Sequence, residues 1–145
     1  MNPLLLEGAS LLETLQNQLK NHCNSLPQAV RGGLWQLSEQ NAELFLNSTE
    51  SLTVLLIHQS DTMDALMAKI SIAAQKDPFS EEVRLTDTIL SKYTEFRQQL
   101  NRCLSACEVL RKAPQNEMDP RPLWNALSLL IQKGDALYQL FQVNG

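Results

Sequence analysis

From Trp35 to Ala73 the chain carries a seam that never slips. Trp35, Ser38, Ala42, Phe45, Thr49, Leu52, Leu56, Gln59, Met63, Leu66, Ile70 and Ala73 follow one another at strides of three and four. A period of 3.5 is the face that a long helix offers to neighbouring helices in left-handed packing, and a strand has no use for it. Val54, Leu55, Ile57, Met67 and Ile72 flank the seam, so the apolar surface is wider than one helix contact needs. The phase is kept across Asn47-Ser48-Thr49-Glu50, although that tetrapeptide also has the form of an N-cap with Glu at N3. Continuity of phase favours one unbroken helix of nearly 60 Å at about 1.5 Å per residue, the alternative being a break or kink near Asn47. A compact domain of this size measures roughly 40 Å across, so the expectation is an elongated hairpin.

A second long seam supplies the other arm. Phe79, Glu82, Thr86, Ile89, Tyr93, Phe96, Leu100, Cys103, Cys107 and Leu110 keep the same strides. Asp77-Pro78, followed by Glu81 and Glu82, gives it a cap, a proline in the first turn and acidic residues at the positive end of the helix dipole. Gln75 to Pro78 then reads as a tight turn between antiparallel helices. An opening helix runs from Pro3 to about Asn24 on Leu4, Leu11, Leu12, Leu15 and Leu19. A closing helix starts at Asp119-Pro120 and faces inward with Leu123, Leu127, Leu130, Leu137 and Phe141. Gly134 falls on that last seam and marks a close helix contact. The fold expected is all-α: a four-helix antiparallel bundle built on a long central α-hairpin, one domain over residues 1–145, with helices near 3–24, 34–75, 78–112 and 120–143.

Charge and composition remove several function classes. Net charge is −4, and no Lys or Arg occurs between Arg31 and Lys69 while Glu39, Glu43, Glu50, Asp61 and Asp64 do. That balance speaks against sequence-independent nucleic-acid binding. The longest aliphatic run is Val54 to Ile57, far short of the roughly 20 residues that cross a bilayer. The first ten residues include Glu7 and no basic residue, unlike a secretory leader. Three cysteines form no disulfide framework, and a reducing, cytoplasmic setting is expected.

Chemistry leaves little trace. No G-x-G-x-x-G, Walker A or G-x-S-x-G pattern is present, and no E-x-x-H pair of the di-iron kind. A non-catalytic chain without a cofactor is therefore expected. Cys103 and Cys107 stand one turn apart and can present two thiolates to a metal, with His22, Cys23 and His58 as candidate partners. Both cysteines also fall on the seam, where a free thiol packs as a small hydrophobe. Thr49, Gln59, Glu82 and Thr86 interrupt the seams and either set register or mark where the bundle meets water.

The surplus of apolar residues from Leu44 to Ile57 points to a partner. Two shorter terminal helices have a long hairpin to cover, and an exposed groove is expected at Leu52, Leu55, Leu56 and Met63, with Glu50 and Asp61 on its rim. Its occupant would be an amphipathic helix of another protein, a bundle subunit or a second copy. The function expected is a protein–protein interaction module, such as an adaptor, a small export-type chaperone or a subunit of a larger complex. The alternative is a metal-binding or redox-responsive bundle using Cys103 and Cys107.

Overall fold

A computed structural model describes residues 3–27, 30, 38–76, 81–114 and 118–144, with side chains from 84 onward in the third helix. Among the described residues there are four long helices and no strand. They are α1 (Pro3–Asn24), α2 (Glu39–Gln75), α3 (Glu81–Lys112) and α4 (Arg121–Asn144). Each packs on its neighbour in sequence, and α1 also packs on α4, which closes a four-membered ring. Side-chain bonds give the directions. Gln59 in α2 reaches the Leu15 carbonyl while His22 bonds the Ser48 carbonyl, so α1 and α2 run antiparallel. Gly8 lies against Phe141 and Gln16 against Gly134, which sets α4 antiparallel to α1. The fold is a four-helix antiparallel bundle on a long central hairpin.

Helix α2 is continuous across Asn47, 37 residues from Glu39 to Gln75. The cap signal at Asn47-Ser48-Thr49 is overridden because the seam on either side stays in phase. Thr49 instead turns its hydroxyl back to the Leu46 carbonyl, and Thr53 does the same to Thr49. The start differs from expectation. The stride places Ser38 on the seam inside a helix beginning near Leu34, yet its backbone is extended and its hydroxyl accepts the Asn41 N–H, so it is the N-cap. Leu34, Trp35 and the Asp77–Pro78 turn lie outside the described residues, as do Phe79 and the Glu82 side chain. At α4, Asp119 takes the Arg121 N–H on its carboxylate and the Pro120 carbonyl accepts the Trp124 N–H. The start is thus one residue later than expected, within ordinary end variation.

The core follows the seams. Phe45, Leu52, Leu56 and Met63 of α2 meet Ile89, Phe96 and Leu100 of α3, with Leu12 and Leu19 of α1 and Leu123, Leu127 and Phe141 of α4, all essentially without solvent contact. The connections also contribute. Leu26 and Val30 after α1, and Met118 before α4, are buried. Thr49, Gln59 and Thr86 are buried too, so these polar seam residues sit inside the bundle, away from water.

Candidate functional site

The predicted groove residues divide sharply. Leu52, Leu56 and Met63 are fully buried within the chain, so they form core and line no surface groove. The reason is phase: all three lie on the inward seam that the ring of helices encloses. Leu55 is half-buried and packs against the core from the side. Glu50 and Asp61 are exposed. They do stand on a common face, though it is the opposite one.

That outer face has a stride of its own. Glu43, Asn47, Glu50, Val54, Ile57, Asp61, Ala65, Ala68 and Ile72 recur at threes and fours and are all exposed. Val54 is 69% exposed, Ile57 46% and Ile72 60%, and Leu44 beside them is 50% exposed. Single outward hydrophobes are ordinary on a folded protein, and α3 shows only Val109 among its described side chains. Four on one helix, three of them in register, make a stripe. Glu43, Glu50 and Asp61 supply its charge, and none of them pairs with a cation among the described residues. Asp64, at the α3 edge of the stripe, is occupied: Arg97 bonds both its oxygens at 3.3 Å, and the buried Tyr93 hydroxyl donates to it.

Val54 and Ile57 belong to the apolar surplus that the sequence shows and Ile72 flanks the seam, and their exposure makes them the outward surface in place of Leu52, Leu56 and Met63. The signal was available in the second stride, hidden because acidic, small and apolar residues alternate along it.

A second, smaller feature lies between α1 and α4. Cys23, Trp124 and Ile131, with Lys20, Asn24, Ser128 and Gln132, line a shallow cavity of about 430 Å3. Trp124 and Tyr138 are half-buried and Phe141 fully buried, consistent with aromatics that anchor helix ends.

The three thiols belong to the core. Cys23, Cys103 and Cys107 are free and buried. Burial pushes Cys103 up to about 12, with the neighbouring Cys107 and Cys23 adding to the effect, and Cys23 up to about 11. Cys107 is also raised by burial, opposed by a bond from Thr53 and by Arg111. Protonated, buried thiols are poor nucleophiles and poor metal ligands. His58 is exposed on α2, and His22 is engaged with the Ser48 carbonyl. Among the described residues no group of three or more His, Cys, Asp or Glu side chains is gathered to hold a metal ion. No helix among them is long and apolar enough to cross a membrane.

Comparison with protein-family models, curated proteins and solved structures returns no significant match.

Proposed function

We propose that this chain is a non-catalytic protein-interaction module that docks a partner along the outer face of α2. The observation that carries the reading is the exposed stripe itself: Val54, Ile57 and Ile72 in helical register on one face, uncovered by α1, α3 or α4. Docking a helix on such a face removes apolar area from water at about 25 cal/mol per Å2, and i, i+3, i+7 anchors are the usual grammar of helix recognition. The rest of the bundle supports this as scaffold. Its core is closed, its thiols are packed away, and α2 carries the face over about 44 Å from Glu43 to Ile72 at 1.5 Å per residue. Roles such as adaptor, export-type chaperone or complex subunit all use a surface of this kind.

The test is site-specific photo-crosslinking in cells expressing the full chain. A photoreactive amino acid at Val54 is expected to give a discrete protein adduct, and the same group at Val109 on the outer face of α3 to give none. Equal, diffuse labelling at both positions would overturn the reading.

A further inference from the structure

We infer that the occupant of the α2 face is a basic amphipathic helix of a different protein, carrying an apolar pair flanked by Lys or Arg one turn away on each side. This rests on the docking role proposed above and deepens it by naming the partner's chemistry.

Charge and register together select the occupant. Val54 and Ile57 form the apolar centre of the stripe, and Glu50 and Asp61 stand one turn before and one turn after it, with Glu43 two turns further out. No cation interrupts this stretch, since the chain has no Lys or Arg from 32 to 68. A helix lying along α2 with an apolar i, i+3 or i+4 pair over Val54 and Ile57 brings its flanking side chains over Glu50 and Asp61. Lys or Arg there is attracted, and Asp or Glu is repelled. Further along, Ala65 and Ala68 present little bulk, so a partner backbone can approach closely before its apolar end meets Ile72.

The same register disfavours a second copy. Antiparallel pairing of two α2 helices about the Val54–Ile57 centre sets Glu50 of one copy opposite Asp61 of the other, twice over by symmetry. Parallel pairing sets each carboxylate against itself. Like charges in facing positions are destabilising, so the face that attracts a basic helix rejects its own twin.

The experiment is a display selection of helical peptides of about 20 residues, randomised at apolar and flanking positions, against the full-length protein, with each enriched peptide then measured on Val54→Asp. The expected result is enrichment of peptides with Lys or Arg flanking the apolar pair. Their affinity is expected to fall at least about tenfold on Glu50→Lys/Asp61→Lys and with rising salt. Circular dichroism of each variant confirms that the bundle remains folded. Enriched peptides that have acidic or neutral flanks yet still need Val54 would overturn the basic partner and leave the docking face standing. Peptides that bind Val54→Asp as well as wild type would overturn both. Concentration-dependent self-association abolished by Val54→Asp would overturn the heterotypic assignment.

Discussion

The side-chain amide of Gln16 lies where a Cβ on residue 134 would stand. An ideal Cβ built on Gly134 falls within 2.5 Å of Gln16 Cδ and Nε2, so α1 and α4 approach closely only because position 134 has no side chain. The amide is held there by donating to the Ile131 carbonyl and to Asp135, each at 3.0 Å, and Asp135 also receives Lys20 at 3.1 Å. Gly134→Ala gains about 1 kcal/mol of helix propensity but evicts an amide making two bonds of about 1 kcal/mol each in a buried setting. The net expectation is a loss of about 1 kcal/mol. In a Gln16→Ala background nothing is evicted, and the same change is expected to stabilise by about 1 kcal/mol. Denaturant midpoints of the four proteins measure the cycle. An effect of one sign in both backgrounds would show that Gln16 does not fill the space.

Gln59 poses the opposite problem, a polar group placed inside the core. It is 1% exposed, its amide nitrogen donates to the Leu15 carbonyl at 2.9 Å, and its Oε1 has no partner among the described residues. One bond to a carbonyl at about 1 kcal/mol is set against an unpaired buried acceptor costing about 1–3 kcal/mol. Gln59→Leu is therefore expected to be neutral or to stabilise by about 1 kcal/mol. What it removes is a side-chain tie from the middle of α2 to α1, which fixes their register. Broader methyl resonances alongside an equal or higher denaturation midpoint would report that trade. A loss of more than about 2 kcal/mol would mean the Leu15 bond dominates.

These two glutamines show what a sequence can and cannot disclose about such a bundle. The hairpin and the close approach at Gly134 were legible, because strides of three and four are a packing constraint and a glycine on the stride has few other uses. The start of α2 was not: Ser38 continues the stride but uses its hydroxyl as a cap. Leu26, Val30 and Met118 enter the core from connections, where no period announces them. The surface was the hardest part. Leu52, Leu56 and Met63 are large and apolar, which is what a partner selects but also what a core selects. Periodicity orders residues around a helix without saying which face its neighbours cover.

The thiols yield a pH prediction with a definite sign. Burial raises all three above the value of about 8.5 that they have in the unfolded chain. Below that pH both states hold the protons and the thiols leave stability unchanged. Above it the unfolded thiols ionise while the folded ones stay protonated, so stability falls as pH rises, by up to about 1.4 kcal/mol per pH unit for each thiol. Unfolding free energy measured from pH 7 to 10 is expected to be flat and then to drop. The drop is expected to be shallower in a Cys23→Ala/Cys103→Ala/Cys107→Ala variant, whatever its absolute stability. In native buffer the thiols are expected to react with a thiol reagent only as fast as the protein opens, with the same denaturant midpoint as loss of helicity. Prompt reaction of Cys103 or Cys107 in the native state would revive the redox alternative.

Val54 and Leu56 are two residues apart on one helix, and the contrast between them tests the assignment of faces most directly. Leu56 has no solvent contact, and an aspartate there buries a carboxylate among apolar core side chains. Such a change costs more than about 4 kcal/mol, a large share of the 5–15 kcal/mol that holds a domain together. Leu56→Asp is expected to lose its cooperative thermal transition. Val54 is 69% exposed, and an aspartate there remains hydrated, so Val54→Asp is expected to stay within about 1 kcal/mol of wild type. Leu55, half-buried between them, is expected to fall in between, which makes Leu55→Asp a poor probe of binding because folding and docking would fail together. Thermal melts of the three variants decide the matter. Similar losses at 54 and 56 would mean that the outer face of α2 is covered in solution, and the proposed partner would be the first candidate for the cover.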